Sequence, residues 1–178
     1  GEVISYNNAL QLNIKQIRKA YEDEYNPADY MPSTEKDPEA MYQELLSYGR
    51  QVKNPYLRKI IEYYFENDPD FIKKFKNHSA AKTVHHGFAG GLLEHTLSVV
   101  KFCEYMAGAY PILNRDLLYT AAMCHDIGKI RELSPFPAND YTDDGQLLGH
   151  IVIGVEMISD VIRTIPDFPE VLASELKH

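Results

Sequence analysis

Apolar residues recur at helical spacing along most of this chain, but residues 1–20 follow a different pattern. Leu10, Leu12 and Ile14 alternate with polar residues after the turn-forming pair Asn7-Asn8. Alternation with a period of two, next to a two-residue turn, predicts a β-hairpin. Because a two-stranded hairpin is only marginally stable alone, we expect it to be the end of a β-domain whose beginning is missing from this chain.

Three helices are predicted from a start signal that occurs three times. The signal is Asp37-Pro38, Asn54-Pro55 and Asp68-Pro69. In each pair, the first side chain caps a helix N-terminus and the proline suits the first helical turn. We therefore expect three short packed helices, the first of which ends near Gly49.

The rest of the chain predicts further helices, separated by irregular segments over residues 80–91 and 134–145. The second segment is polar, with a small hairpin expected at Asp144-Gly145. The first expected helix is long and covers about residues 92–109, and the second begins at Asn114 or Asp116 and carries His125-Asp126. A third begins at Leu147 or Gly149, and a fourth begins at Pro169. The predicted fold class is all-α over residues 37–178, preceded by the hairpin in residues 1–24 and by a proline-bearing linker in residues 25–36.

Composition and charge restrict the classes of protein and of binding partner that are compatible with this chain. It has 178 residues and a formal net charge of -8 at pH 7. An acidic chain binds phosphate through local cations or a bound metal, since it has no bulk basic field. Cys103 and Cys124 lie in apolar helical patterns, which indicates buried free thiols of a cytoplasmic protein. No apolar run approaches the roughly 18 residues of a membrane-spanning helix, so we expect no membrane partner.

The stretch from residue 121 to residue 130 contains the strongest candidate chemistry. Small and apolar residues lead into His125 and Asp126, although burial of an unpaired carboxylate is costly. The cost disappears if the pair holds a divalent cation, because imidazole nitrogen and carboxylate oxygen are both good ligands. Gly128 suits a helix C-terminus, and Lys129 adds a positive charge one turn beyond the pair. We therefore predict a metal site with a phosphate-binding lysine beside it.

Two more histidines lie near the starts of apolar helices. His95 precedes His125 by 30 residues and His150 follows it by 25, which allows one helix and its return between successive ligands. A single histidine in a helix is more often a core or surface group than a metal ligand. Four ionisable groups at comparable helix positions, namely His95, His125, Asp126 and His150, favour one shared cation.

Several nearby residues keep two interpretations. His85 and His86 either contact substrate phosphates or form a turn that packs on Phe88. Lys129 is either a solvated cation at a helix end or an anchor for the scissile phosphate, and beside a metal site we favour the anchor. The acidic segment 140–144 is interpreted as a solvated loop, because its charge would repel a phosphate substrate.

Two blocks of sequence carry a resemblance to a known family. Residues 85–96 read HHGFAGGLLEHT, and residues 124–129 read CHDIGK. The second block resembles the signature of HD-domain metal-dependent phosphohydrolases. Both blocks together resemble the YhaM family of bacterial 3′→5′ exoribonucleases, also described as CMP-binding factors. The resemblance implies an HD-domain helical bundle after the last strands of an OB-fold. It also implies that this chain lacks most of the OB-fold and the family's final aspartate ligand, and so is truncated at both ends.

The resemblance implies a role for each candidate residue and a divalent metal, commonly manganese, as one or two ions. The implied metal ligands are His95, His125, Asp126 and His150, and the residues near the substrate phosphates are His85, His86 and Lys129. Our own hypothesis makes Asp126 and Lys129 the catalytic residues.

Our main hypothesis is metal-dependent hydrolysis of phosphodiesters from the 3′ end of single-stranded RNA. An HD-type nucleotide phosphohydrolase or cyclic-nucleotide phosphodiesterase is the first alternative. A nucleic-acid or nucleotide-binding module with a structural metal is the second. The sequence leaves an oligomer open.

Overall fold

A computed structural model of the chain describes residues 1–21, 24–25, 33–83, 86–136 and 138–178. The chain divides into two compact units, Gly1–Tyr30 and Met31–His178. The finer division at residues 24–25 and 36–37 stays a prediction.

The first unit contains the predicted hairpin. Strand β1 (Glu2–Tyr6) pairs antiparallel with strand β2 (Ala9–Asn13), which leaves Asn7 and Asn8 as the turn. These asparagines have φ angles of 49° and 60°, as a type I′ turn requires. Every residue of both strands is exposed, so the hairpin buries no apolar face of its own. Its origin in an OB-fold stays a prediction.

The second unit is helical where the structure describes it, as the sequence predicts. Its helices are α1 (Pro38–Gly49), α2 (Pro55–Phe65), α3 (Pro69–Asn77), α4 (Gly91–Ala109), α5 (Arg115–Cys124), α6 (Lys129–Glu132), α7 (Asp143–Leu147), α8 (Gly149–Thr164) and α9 (Glu170–Lys177).

Each of the three predicted start signals begins a helix. The Asp37 side chain accepts a hydrogen bond from the backbone N–H of Glu39, and that of Asp68 accepts one from Phe71. The Asn54 side chain accepts from two successive N–H groups. A cap of this kind contributes about 1 kcal/mol to stability. The predicted starts of α1, α2 and α3 are thereby confirmed.

Packing of α4 against α5 positions the part of the unit that carries the candidate ligands. Leu92 and Leu93 of α4, and Tyr119 and Met123 of α5, are fully buried. Burial of one such side chain contributes about 1.5–3 kcal/mol. Because a short loop joins these two packed helices, the start of α4 lies beside the end of α5.

The segment 33–36 lies against the start of α4. The N–H of Thr34 donates to the carbonyl of Ala89 at 3.0 Å, and its hydroxyl donates to the Glu94 carboxylate at 2.7 Å. Lys36 forms an ion pair with Glu94, also at 2.7 Å. The hydrogen bond from Lys36 is the main cause of a lowered pKa for Glu94, while burial opposes it. The segment before α1 is thus tied to the helix that carries His95.

The hairpin expected at Asp144-Gly145 is absent, because both residues lie in α7. Thr142 caps this helix by accepting a hydrogen bond from the N–H of Gly145. The aspartates of its first turn lie at the positive end of the helix dipole. A helix of five residues is too short for its period to be visible in the sequence.

Gly128 does not end a helix in the expected way. Helix α5 ends at Cys124, and Gly128 has a right-handed φ of -62°. A Cβ atom at Gly128 would overlap the carbonyl oxygen of His150. Close approach of α8, rather than a left-handed helix end, therefore explains this glycine.

Both cysteines are free, as predicted, and Cys124 is buried, but Cys103 is only partly buried, contrary to the prediction. Among the described residues, no helix combines the length and the apolar character needed to cross a bilayer.

Candidate metal centre

The end of α5 brings His125 and Asp126 to one edge of the core. The last turn of the helix is fixed by Met123 and Cys124, which are buried. The Asp126 side chain is 8% exposed, whereas that of His125 is 33% exposed. The nearly buried carboxylate of Asp126 thus lies next to the His125 imidazole, which solvent can reach.

His95, in the second turn of α4, forms a tight group with this pair. Its Nε2 lies 3.1 Å from Nε2 of His125. Oδ2 of Asp126 lies 3.5 Å from Nε2 of His95 and 3.4 Å from Nε2 of His125. Each of the three residues therefore offers one ligand atom to a common point.

His150 approaches the same carboxylate from the other side. Gly149 begins α8 with a φ of 72°, and His150 is the next residue. Nε2 of His150 lies 3.4 Å from Oδ1 of Asp126. Asp126 therefore presents one oxygen to His95 and His125 and the other to His150, and a carboxylate used in this way can join two ions.

Hydrogen bonds to the far ring nitrogens orient two of the imidazoles. Nδ1 of His125 lies 2.8 Å from the carbonyl oxygen of Ala122, and Nδ1 of His150 lies 2.9 Å from Oε1 of Glu132. Because those oxygens only accept, each Nδ1 carries a hydrogen, so Nε2 has a free lone pair in the neutral form of either ring. Both Nε2 atoms lie near Asp126. Histidines that ligate metals commonly have such outer hydrogen bonds.

The spacing and the chemistry of this group fit a divalent cation. Ligand atoms about 2.1 Å from one ion are about 3.0 Å apart at a right angle and about 3.4 Å apart at the tetrahedral angle. The separations among the atoms of His95, His125 and Asp126 run from 3.1 to 3.5 Å. Two imidazole nitrogens and one carboxylate oxygen are also suitable donors for first-row divalent metals.

Burial and charge shift the pKa values of all three residues. Burial alone would raise the pKa of Asp126, but the hydrogen bond from His125 and nearby positive groups lower it overall. Burial alone would lower the pKa of His125, but its hydrogen bond with Asp126 and that residue's charge raise it overall. The pKa of His95 is lowered by burial, against the charge of Asp126. An ionised Asp126 and a neutral His95 are the forms that bind a cation.

Glu132, at the end of α6, belongs to the site although the sequence analysis did not single it out. Its side chain is 9% exposed, and its Oε1 accepts hydrogen bonds from the N–H and the Nδ1 of His150 at 3.0 and 2.9 Å. Burial would raise the pKa of Glu132, but the hydrogen bonds from His150 lower it. The sequence did contain one signal for Glu132: it lies three residues after Lys129, and this spacing places both side chains on one face of a helix.

Lys129 lies on the inner side of the site. Its side chain is 13% exposed, and its Nζ lies 3.6 Å from Oε2 of Glu132. The lysine is therefore beside the candidate ligands but turned toward a buried carboxylate.

Of the two loop histidines, His86 lies at the site. Its ring centroid is 5.5 Å from that of His95 and 5.7 Å from that of Phe88. Its φ is 61°, and its carbonyl accepts a hydrogen bond from the N–H of Ala80. His86 thus contacts Phe88 and still borders the candidate ligands, so both interpretations remain compatible with its position. His85 lies outside the described residues.

A cavity of about 540 Å³ opens beside the candidate ligands. His125, Asp126 and His150 form part of its lining, and most of the remainder is apolar, from α4, α5, α8 and α9. The volume lies within the range of small-molecule sites.

Comparison with known proteins first gives the class of this domain. Residues 92–178 match the HD domain family, and this range contains His95, His125, Asp126 and His150. The chain therefore contains an HD domain, a class of domain that binds divalent metals.

Individual relatives are more specific. The 3′-5′ exoribonuclease YhaM of Geobacillus sp. (strain WCH70) is 36% identical over 160 residues, which cover 89% of this chain and 48% of the relative. The YhaM proteins of Listeria welshimeri and of Listeria monocytogenes serotype 4b (strain CLIP80459) are each 35% identical over 180 residues, covering 100% of this chain and 56% of the relative. Over nearly its whole length the chain is similar to these YhaM proteins, and it spans about half the length of the curated relatives it matches. No solved structure matches it significantly.

Proposed function

We propose that this chain is a metal-dependent phosphohydrolase that removes nucleotides from the 3′ end of single-stranded RNA. The observation that carries the proposal is the group of His95, His125 and Asp126, whose ligand atoms lie 3.1 to 3.5 Å apart. The HD domain and the exoribonuclease named in the relatives support the class of reaction.

In this proposal, His95, His125 and Asp126 hold a divalent cation, and His150 with the second oxygen of Asp126 holds another. A cation in such a site lowers the pKa of a bound water and polarises a phosphoryl oxygen. Manganese is the proposed ion. The donor atoms suit several first-row metals, so this choice rests on the family resemblance.

Lys129 and the loop histidines are proposed to act on the substrate phosphates. Lys129 contributes positive potential from beneath the site, since its side chain is largely buried beside Glu132. Fixed positive charge of this kind stabilises the negative charge that develops on a transferred phosphoryl group. His86 borders His95 and is proposed to contact phosphate from the loop side, together with His85.

The direct test compares Asp126→Asn with the control Asp143→Asn, an exposed aspartate at the start of α7. We expect the wild type and the control to shorten 5′-labelled single-stranded RNA from its 3′ end when Mn²⁺ is present. Asp126→Asn should lose at least about 100-fold of this rate, because loss of a ligand exceeds loss of an outer hydrogen bond. Undiminished cleavage by Asp126→Asn would remove Asp126 from the proposal.

A substrate panel separates the proposal from its alternatives. Turnover of cyclic or free nucleotides, with intact RNA left over, would indicate a nucleotide phosphohydrolase or cyclic-nucleotide phosphodiesterase. RNA binding that persists with a chelator, and that yields no product, would indicate a binding module. The cytoplasmic location stays a prediction.

A further inference from the structure

We propose that Glu132 is a positioning residue that fixes the His150 imidazole as its Nδ1–H tautomer, directed at Asp126, and that holds Lys129 beside the same site. This inference rests on the cation site of the proposed function. Its basis is a single carboxylate whose two oxygens serve two neighbouring groups.

The first oxygen of this carboxylate fixes His150 at two points. Oε1 of Glu132 accepts from the backbone N–H of His150 at 3.0 Å and from its Nδ1 at 2.9 Å. The backbone contact positions the first turn of α8, and the ring contact sets the rotation of the imidazole. If the ring were flipped, a carbon would face Oε1 and Nε2 would no longer lie 3.4 Å from Asp126.

The second oxygen restrains Lys129. Oε2 of Glu132 lies 3.6 Å from Nζ of Lys129, and the two side chains are 9% and 13% exposed. Because little water reaches this pair, solvent cannot take over from the carboxylate as partner. The lysine is held below the candidate ligands instead of extending into solvent.

The backbone of Glu132 is itself fixed. Its carbonyl accepts a hydrogen bond from the N–H of Thr142 at 2.9 Å, and the Thr142 hydroxyl donates to the neighbouring carbonyl of Arg131 at 2.7 Å. A Cβ atom at Gly145 would overlap the Glu132 carbonyl, so the start of α7 packs directly on the end of α6. The carboxylate is therefore presented by a rigid element, as accurate positioning requires.

A direct role for Glu132 as a metal ligand is a different reading that the contacts disfavour. Both of its oxygens already have partners, His150 on one side and Lys129 on the other. Loss of an outer hydrogen-bond partner weakens metal binding by about 10–100-fold, whereas loss of a ligand removes a donor atom altogether.

The test uses the whole chain with the variants Glu132→Ala and Glu132→Gln, and with Glu156→Gln as control. Glu156 is an exposed residue of α8, the helix that carries His150. The first readout is the imidazole ¹⁵N spectrum of the metal-free protein, recorded above the ordinary histidine pKa of about 6.5. The His150 signals are assigned by their loss in His150→Gln. The second readout is Mn²⁺ affinity, measured by calorimetry.

The wild type and Glu156→Gln should show the Nδ1–H tautomer at His150, and Glu132→Ala should show a tautomer mixture. Glu132→Ala should also bind Mn²⁺ about 10–100-fold more weakly. Glu132→Gln keeps a carbonyl oxygen that can accept from Nδ1, so it should retain the tautomer and lose less affinity.

Three results would overturn the inference. The first is an unchanged His150 tautomer in Glu132→Ala. The second is loss of Mn²⁺ binding in that variant to the level of Asp126→Asn with the tautomer intact, because a ligand role would then be correct. The third, decisive if Glu132→Ala does not fold, is loss of Mn²⁺ binding in Glu132→Gln to the level of Asp126→Asn while His150 keeps its Nδ1–H tautomer. Failure of the wild type to bind Mn²⁺ would reject the cation site, and the metal-free spectra would still decide whether Glu132 sets the tautomer.

Discussion

At the scale of the residue, Asp126 is the side chain that joins the two halves of the candidate site. Its Oδ2 faces His95 and His125, while its Oδ1 faces His150. Residue type and local pattern were enough to select these four as candidates, because an ionisable group in an apolar helix needs a partner. Which oxygen serves which imidazole depends on how α4, α5 and α8 meet, and no local pattern contains that information.

The raised pKa of His125 leads to a prediction about pH. Below that pKa the metal-free protein carries a proton on His125, and a cation must displace it. Mn²⁺ affinity should therefore fall as the pH is lowered through the pKa of His125, by up to about tenfold per pH unit for one proton. Asp126 has a lowered pKa and stays ionised over this range, so its protonation does not contribute to the change of Mn²⁺ affinity with pH.

Calorimetry in two buffers of different ionisation enthalpy measures this proton release. The apparent binding enthalpy should differ between the buffers on the acid side of the transition and converge on the alkaline side. Buffer-independent enthalpies and a flat affinity across neutral pH would contradict the assignment of His125 as a ligand.

At the scale of the element, α8 approaches the turn after α5 so closely that the backbones touch. Only glycine fits at Gly128, because a Cβ atom there would overlap the carbonyl oxygen of His150. We expect Gly128→Ala to lower the free energy of unfolding by about 3 kcal/mol through this overlap, and to weaken Mn²⁺ binding because His150 moves.

Gly108 supplies the matched control for this prediction. It lies near the end of α4, and a Cβ atom there would meet no neighbour within 4 Å. Gly108→Ala should raise the free energy of unfolding by about 0.5–1 kcal/mol, since alanine favours helix. Urea unfolding of both variants measures the difference. If Gly128→Ala and Gly108→Ala had similar free energies of unfolding, α8 would be able to shift away from residue 128 at little cost.

Helix starts were predictable from the sequence because the signal is local. A cap and a proline side by side, as at Asn54-Pro55, act within one turn. The roles of Gly128 and Glu132 were not predictable, because each depends on a residue about 20 positions away that reaches it only in the fold. Helices α6 and α7, with four and five residues, are likewise too short to produce a period.

At the scale of the whole molecule, the proposed cation would join α4, the end of α5 and α8. A ligand that binds only the folded state stabilises it by about 2.7 kcal/mol at 100 times its Kd. For a chain of this size, we expect Mn²⁺ at that concentration to raise the melting temperature by about 5–10 °C.

Thermal unfolding followed by circular dichroism at the helical signal checks this prediction. Excess chelator should reverse the increase, and Asp126→Asn should not show it, whereas Asp143→Asn should behave as the wild type does. An equal increase in Asp126→Asn would mean that manganese stabilises the protein from somewhere else.

The contacts of segment 33–36 decide where the helical unit can be cut. A shortened protein that began at Asp37, where α1 is capped, would lose the partners that Thr34 and Lys36 provide to Glu94. The orphaned carboxylate would then lie one position before His95, in the helix that supplies a candidate ligand. Any minimal version of the domain should therefore start no later than Ser33, even though its first five residues belong to no helix.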